Sequence, residues 1–225
     1  MPHELFVTED GSHSIKIPEL NVSYHSSHGA VAESTHIFIN AGLHEKSRQQ
    51  KKINVFEAGF GTGLNALLTL IDAEKNDLQI LYDVAELYPL DRVFVDALNY
   101  LSILEAPAYL SAFRHMHEGD WNVPLKISTC FTLRKMLVDI RQVKFTNKYD
   151  VVYFDAFDPV AQPELWTIEV FKRLFESMNE GGVLVTYSSK SGVRRALEIA
   201  GFVVTKLAGP KGKREITRAI KRGLI

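Results

Sequence analysis

The sequence predicts an α/β fold built on a mostly parallel, doubly wound sheet. Two observations support this class. From residue 51 onward, short apolar runs alternate with amphipathic segments, which is the strand–helix order of a parallel sheet. In addition, the first apolar run, residues 53–57, ends at a glycine-rich turn that leads into leucines at helical spacing.

The individual elements follow from periodicity and from turn residues. Strands are predicted at residues 53–57, 78–86, 125–130, 150–155 and 183–187. Helices are predicted at residues 62–74, 91–101, 133–140, 164–178 and 192–200, with Gly181 and Gly182 ending the fourth helix. Residues 202–207 and 215–220 are predicted to close the sheet as an antiparallel hairpin.

The first 45 residues differ from the rest of the chain. They hold six of the eight histidines, together with short extended stretches and turn residues such as Asp10-Gly11. This pattern predicts a small β-rich N-terminal extension over residues 1–45, packed on a main domain over residues 46–225.

Composition limits the class of protein and its compartment. The 225 residues are 46% hydrophobic, which is enough for a sizeable core. Cys130 is the only cysteine, so an intrachain disulfide is excluded and a reducing compartment is favoured. No apolar run reaches about 18 residues, and residues 1–10 lack a signal-peptide pattern. We therefore expect a cytoplasmic protein without a membrane span.

Charge is segregated along the chain although the net charge is only −1. Residues 190–225 carry ten Lys or Arg and two acids, whereas the preceding residues carry a net charge of −9. A basic end can guide a polyanion to a site, and a solvated helix face is the alternative interpretation. Lys211 and Lys213 lie in a glycine- and proline-containing loop of this segment and are the candidate phosphate contacts, while Arg214 is expected to pair with Glu215.

The glycine-rich turn indicates the cofactor class. Its glycines stand at Gly59, Gly61 and Gly63, and position 64 is Leu, so the Gly-x-Gly-x-x-Gly spacing of dinucleotide sites is absent. The acidic Glu57 precedes the glycines. This pattern is typical of sites for S-adenosyl-L-methionine (SAM), which carries an amino acid in place of a pyrophosphate. An ordinary tight turn is the alternative.

Two acids at predicted strand ends complete the candidate site. Glu86 ends the second strand and is positioned to accept hydrogen bonds from both ribose hydroxyls. Asp155 ends the fourth strand, so we expect it to face the methyl group and its acceptor. Phe157 and Trp166 are candidates to stack on a base, although a core position is equally compatible with Trp166.

Metal and hydrolase chemistry are not indicated. His25-x-x-His28 and His115-x-His117 lack a matching ligand set, so no metal is predicted. Neither a Gly-x-Ser-x-Gly elbow nor a Walker loop is present.

These motifs resemble the methyltransferase domain of the MnmC family, which acts on the wobble uridine of tRNA. The resemblance covers nearly the whole chain, and its most specific part is the Asp-x-Phe-x-Pro…Pro-Glu-x-Trp segment. The matching stretches are residues 10–12, 24–26, 33–38, 57–65, 155–167, 193–202 and 209–215.

The resemblance implies a Rossmann-like SAM-dependent methyltransferase fold and methylation of the amino group of 5-aminomethyl-2-thiouridine in tRNA. Asp155 would orient the amine. The chain shows no second glycine fingerprint, so a stand-alone methyltransferase is expected, with a separate oxidoreductase or other enzyme supplying the amine. Where the family often has Gly-Asp, this chain has residues 128–132, and Cys130 or Phe131 is the expected apolar contact for adenine.

Two other functions remain open from the sequence. An aminopropyltransferase or a small-amine N-methyltransferase would share the fold, but it would need an acidic amine channel and no basic face. A binding module that has lost activity is the second alternative, against which the intact Gly59, Gly61, Gly63, Glu86 and Asp155 argue.

Overall fold

The computed structural model describes residues 3–223 and begins with a small antiparallel sheet. Its strands are β1 (Glu4–Val7), β2 (His13–Ile17) and β3 (Val22–Ser23), paired in that order. Ile15 and Ile17 of β2 are buried, so this sheet is anchored by its apolar face. Residues 1–2 and 224–225, the ends of the two predicted domains, lie outside the described residues.

A helical segment connects the small sheet to the main one. It consists of α1 (Ala30–Ser34), π-helical turns over Thr35–Leu43 and α2 (His44–Ser47). Ile37, Phe38 and Leu43 are fully or almost fully buried in the main core. The β-rich character expected for residues 1–45 therefore ends at Ser23, because the apolar residues that follow are needed to cover the main sheet. The domain boundary itself stays a prediction.

The main sheet has eight strands in the order β10-β11-β9-β8-β4-β5-β7-β6. The five central strands are parallel, while β6 and the β10–β11 hairpin are antiparallel. The predicted α/β class and closing hairpin are thus confirmed. The strands are β4 (Lys52–Ala58), β5 (Gln79–Glu86), β6 (Pro124–Lys126), β7 (Phe131–Leu137), β8 (Tyr149–Phe154), β9 (Met178–Thr186), β10 (Val203–Ala208) and β11 (Glu215–Ile220).

Helices cover both faces of this sheet, as a doubly wound fold requires. The segment from α1 to α2 packs on one face with α3 and α6, whereas α7 and α8 pack on the other. Within residues 3–223, no helix is long and apolar enough to cross a membrane. The remaining helices are α3 (Leu64–Lys75), α4 (Arg92–Ala97), α5 (Tyr100–Ile103), α6 (Leu110–Glu118), α7 (Ile168–Ser177) and α8 (Ser191–Ile199).

The third parallel strand corrects two predictions. It is β7, which covers residues predicted as a helix, while the predicted strand at residues 125–130 is reduced to the three-residue β6. Leucines and an isoleucine at helical spacing suggested the helix. The buried positions of β7 alternate with period two, but one of them is Lys135, whose ammonium donates to the His117 carbonyl at 2.8 Å. Because lysine is read as an exposed polar residue, Lys135 obscures the apolar–polar alternation that predicts a strand.

Two helix predictions also need correction. The predicted helix at residues 91–101 is split into α4 and α5 at Asn99, whose side chain donates to the Gly11 carbonyl in the β1–β2 turn and accepts from the His13 amide of β2. The predicted helix at residues 164–178 starts only at Ile168, after a 3-10 turn. Gly181 and Gly182 do not end it, because they lie inside β9, where the pairing with β8 shifts register.

The strand order reverses between β4 and β8, which lie side by side although about 90 residues separate them. To one side of this line run β5 and β7, and to the other run β9 and the hairpin. In open α/β sheets, ligands bind in the crevice above such a reversal, at the carboxyl ends of the strands. The loops after β4 and β8 therefore mark the expected site.

Candidate cofactor and acceptor site

A cavity of about 340 Å³ opens at this reversal. Its wall includes the residues that follow β4, β5, β7 and β8, and it is closed on the outside by residues of the N-terminal sheet region. Of the predicted site residues, the structure brings five together in this wall: Gly59, Gly61, Glu86, Asp155 and Phe157.

The glycine loop after β4 forms the floor of the cavity. Gly61 has φ +50°, and a Cβ there would lie 2.8 Å from the Tyr24 ring. The backbone therefore passes closer to its neighbours than a side chain would allow. Gly63 lies outside the cavity wall and forms the left-handed N-cap of α3, where it packs against His117. Gly63 thereby shapes the loop, and its predicted cofactor contact stays a prediction.

Glu57 lies behind the loop and not in the cavity wall. It is 1% exposed, and its carboxylate accepts hydrogen bonds from Asn65 and from the Tyr82 hydroxyl, both at 2.8 Å. The structure therefore does not support a direct contact between Glu57 and the cofactor. The carboxylate instead fixes Asn65, which does line the cavity.

Glu86 ties the loops after β4 and β5 together. Its Oε2 accepts hydrogen bonds from the Phe60 and Gly61 amides at 3.0 and 3.2 Å, and its Oε1 accepts one from the Tyr88 amide at 2.7 Å. A carboxylate has further acceptor capacity, so ribose hydroxyls can still bind it. The ribose contact stays a prediction.

Asp155 stands at the opposite side of the cavity, directly after β8. Its Oδ2 accepts a hydrogen bond from Asn65 Nδ2 at 2.9 Å, so one amide bridges Asp155 and Glu57. Asn65 is therefore a candidate site residue to which sequence reasoning assigned no role, although it is the second residue of α3, directly after the glycine loop.

The electrostatics of the cavity favour a cation. Burial raises the pKa of Glu57 and Asp155 well above the usual carboxyl values, and it also raises the pKa of Glu86. Repulsion from Glu33 adds to the raised pKa of Asp155. Three carboxyl groups that are costly to ionise would gain most from a positively charged ligand. SAM carries both a sulfonium and an α-ammonium group, so these residues fit it.

Tyr24 and His25 of the N-terminal region cover the loop, and sequence reasoning assigned neither a role. The Tyr24 ring lies over Gly61, and His25 Nε2 is 2.9 Å from the Thr62 hydroxyl. Burial lowers the pKa of His25 to about 4, so it is neutral at physiological pH. His117 reaches the Thr62 carbonyl from the other side at 3.2 Å. Two histidines thus hold the loop.

The two residues predicted to contact adenine lie outside the cavity wall. Cys130 and Phe131 lie at the start of β7, at the far end of the sheet from the cavity. Asp139 and Arg141, which follow β7, line the cavity in their place, and the Arg141 side chain is bonded to the Asp139 carboxylate. The error follows from the misplaced third strand. An acid directly after an apolar run, as at Glu86 and Asp155, was the signal for Asp139.

Phe157 and Trp166 have different positions. Phe157 lines the cavity and packs edge-on against Tyr24, with ring centroids 5.2 Å apart. Trp166 is 7% exposed, lies outside the cavity wall and packs against Phe154. Its indole donates to the Phe157 carbonyl at 2.8 Å. Trp166 is thus a core residue that supports Phe157.

Lys211 and Lys213 lie outside the cavity wall, in the loop between β10 and β11. Lys211 Nζ is 2.9 Å from Glu9, and Lys213 Nζ is 2.8 Å from Glu33 of α1. The loop is therefore bound to the N-terminal region by two ion pairs. The expected Arg214–Glu215 pair is not formed, because Glu215 pairs with Lys206 at 2.8 Å.

Comparison with known families identifies the class of enzyme. The profile of a family described as S-adenosyl-L-methionine-dependent methyltransferase matches residues 105–222, which is more than half of the chain. This chain belongs to that family. SAM is therefore the cofactor of this methyltransferase, and the cavity described above is its candidate binding site.

Relatives and solved structures agree with this family. The tRNA 5-methylaminomethyl-2-thiouridine biosynthesis bifunctional protein MnmC of Burkholderia mallei is 30% identical over 95% of this chain, and that of Burkholderia multivorans is 29% identical over the same share. The chain spans about a third of their length.

Among solved structures, the methyltransferase is similar to MNMC2 from Aquifex aeolicus, with a TM-score of 0.79 and 28% identity. The match covers 99% of this chain and 71% of the other. Spermidine synthase from Thermotoga maritima shares the fold, with a TM-score of 0.53 and 12% identity over 100% of this chain and 81% of the other.

Proposed function

We propose that this methyltransferase transfers a methyl group from SAM to the amino group of 5-aminomethyl-2-thiouridine at the wobble position of tRNA. Similarity along the chain supports the proposal, because relatives named for 5-methylaminomethyl-2-thiouridine biosynthesis in tRNA align with 95% of it. The nucleoside in that name differs from the aminomethyl form by one N-methyl group. A SAM-dependent transfer of one methyl group to the amine would convert the aminomethyl form into the methylaminomethyl form.

The observation that carries the proposal in the structure is the placement of Asp155. Its carboxyl lines the cavity at the strand-order reversal and is held by Asn65 at 2.9 Å. Bound SAM supplies an activated methyl group. An alkylamine is mostly protonated at neutral pH, so its nitrogen must lose a proton before its lone pair can form the new bond to carbon.

Asp155 would accept a hydrogen bond from the amine and thereby orient its nitrogen. The raised pKa of Asp155 makes it a stronger proton acceptor than an exposed aspartate, with water taking the proton finally. Alignment of this kind can supply up to about 7–11 kcal/mol of the barrier reduction. The residues of the cavity thus need to position the reactants and receive one proton.

The aromatic pair of Tyr24 and Phe157 is the proposed contact for the base. The two rings are neighbours in the cavity wall, at the same side as Asp155. Aromatic side chains stack on bases that are splayed out of a single-stranded loop, which is how most proteins recognise RNA loops. A flipped wobble uridine would bring its aminomethyl group toward Asp155.

The phosphate contacts are proposed on the C-terminal basic segment. Lys211 and Lys213 remain candidates, but a phosphate would have to share or displace their ion pairs with Glu9 and Glu33. Arg195 and Arg214 are exposed and make no ion pair with any residue in the 3–223 range. We therefore propose that the two arginines contribute more to tRNA affinity than the two lysines do.

The amine substrate is proposed to come from a separate enzyme in the cytoplasm. The relatives are named bifunctional, which indicates two activities in the same biosynthesis. The activity that generates the aminomethyl group would then act before this methyltransferase, on the same tRNA.

A direct assay tests the proposal. The full chain is incubated with methyl-labelled SAM and tRNA that carries 5-aminomethyl-2-thiouridine, and the digested nucleosides are analysed by mass spectrometry. We expect the label in 5-methylaminomethyl-2-thiouridine, and none in matched tRNA that has an unmodified wobble uridine. Label transfer to a free small amine, or aminopropyl transfer from decarboxylated SAM to a polyamine, would replace the proposal by one of the two small-amine alternatives.

A further inference from the structure

The side chain of Asn65 has one half that is bonded and one half that is not. Its Nδ2 donates to Glu57 and to Asp155, at 2.8 and 2.9 Å. Its Oδ1 is buried and has no hydrogen-bond partner within residues 3–223. The residue is 3% exposed and lines the cavity, so a ligand held there would bind beside this amide.

The orientation of this amide follows from its neighbours. The amino half faces Glu57 and Asp155, and carboxylates that keep their charge beside a bound cation only accept hydrogen bonds. A flipped amide would place its oxygen against two carboxylate oxygens. A buried carbonyl without a donor costs free energy, and native proteins usually provide a partner for such a group.

The missing partner is a donor, and the surroundings favour a cationic one. Burial makes Glu57 and Asp155 difficult to ionise, so a positive charge beside Asn65 would be stabilised by both. The α-ammonium group of SAM is a positively charged donor with three N–H bonds, whereas its sulfonium has none. The ribose and adenine donors belong at the other end of the cavity, near Glu86 and Asp139.

We propose that Asn65 Oδ1 accepts a hydrogen bond from the α-ammonium group of SAM, while Asn65 Nδ2 holds Asp155 toward the acceptor. Asn65 thus links the cofactor to the residue that orients the amine. The inference uses the family's cofactor and does not depend on tRNA being the acceptor. Its test can therefore fail or succeed independently of the proposed substrate.

The experiment uses ligand binding and not turnover. Calorimetry measures Kd for S-adenosylhomocysteine, which keeps the α-ammonium, and for its analogue that lacks the α-amino group. We expect the wild-type chain to bind S-adenosylhomocysteine about 10- to 100-fold more tightly, and Asn65→Ala to reduce this ratio by about tenfold. Asn54→Ala is the matched control, because its amide donates to Lys148 outside the cavity.

Three outcomes would overturn the inference. Equal affinity of the wild-type chain for the two ligands would do so even if the variants failed to fold. An unchanged ratio in Asn65→Ala would show that the ammonium binds elsewhere. Unchanged binding of both ligands in Asn65→Ala, combined with lost methyl transfer, would assign Oδ1 to the acceptor amine.

Discussion

Replacing Gly61 by alanine should weaken both the fold and the cofactor site, for two separate reasons. With φ at +50°, a residue other than glycine costs about 1–2 kcal/mol. The new Cβ would also lie 2.8 Å from the Tyr24 ring, so the ring must shift, and we expect it to lose its edge-on contact with Phe157, which is worth about 0.5–1.5 kcal/mol. Together these give a loss of roughly 2–3 kcal/mol in the free energy of unfolding.

Thermal unfolding and SAM titration measure the two effects. For a chain of this size, the Tm of Gly61→Ala should drop by roughly 4–12 °C. SAM affinity should also fall, because the loop amide that bonds Glu86 is displaced. Gly192→Ala is the matched control: Gly192 lies in the first turn of α8 with nothing within 4 Å of its Cβ position, and helix propensity predicts a gain of up to about 1 kcal/mol.

A double variant separates the backbone strain from the contact with the ring. In a Tyr24→Ala background, Gly61→Ala should cost only the strain of about 1–2 kcal/mol. If Gly61→Ala destabilises the chain equally with and without the Tyr24 ring, the close approach of Tyr24 to the loop is not the cause, and the geometric reasoning fails.

Three further predictions concern chemistry, pH and docking. Asp155→Asn should lower single-turnover methyl transfer by about 100- to 10,000-fold and change SAM affinity much less, and a rate near that of the wild type would remove Asp155 from the acceptor side. Because burial lowers the pKa of His25 from 6.5 to about 4, the folded chain binds fewer protons than the unfolded chain between these values, so stability falls as the pH drops through this range. Urea titrations at pH 7 and pH 5 should show a smaller fall in His25→Gln, whose amide can still bond Thr62; an equal fall would mean that His25 is not the group responsible. Replacing Arg195 and Arg214 by alanine should reduce the log–log salt slope of tRNA binding by about 0.7–0.9 per lost contact while SAM affinity is unchanged, and an unchanged slope would place the docking surface elsewhere.

Sequence reasoning works best where local and tertiary requirements agree. The β4 strand, the glycine loop and α3 were predicted within two residues at each end, because an apolar run, a glycine turn and a helical apolar period follow one another without conflict. The same holds for the hairpin of β10 and β11. The positions of Glu86 and Asp155 in the cavity wall were predictable because parallel strands end at one edge of the sheet.

Errors arise where a tertiary contact overrides the local pattern. Lys135 is buried in β7 because the His117 carbonyl and the ring of Trp121, 4.7 Å from its ammonium, replace water. No local pattern announces these partners, and the misplaced strand moved the predicted adenine contact to Cys130 and Phe131. Trp166 was a similar case, since only the fold shows that its ring faces the core. The bridging position of Asn65 could not be predicted, because it depends on where the fold places both the Glu57 and the Asp155 carboxylates.

The contact between the N-terminal region and the β10–β11 loop has a consequence for biosynthesis. Tyr24 and His25 belong to the N-terminal region that covers the glycine loop. This region forms ion pairs with the β10–β11 loop, between Glu9 and Lys211 and between Glu33 and Lys213. In addition, the His36 ring is hydrogen-bonded to the Ala208 carbonyl at 2.8 Å. The ribosome synthesises the N-terminal region first and the β10–β11 loop last. Nearly 200 residues are therefore added between the covering segment and the loop that binds it. The contacts that complete the packing of the N-terminal region over the glycine loop therefore form only after the hairpin has left the exit tunnel.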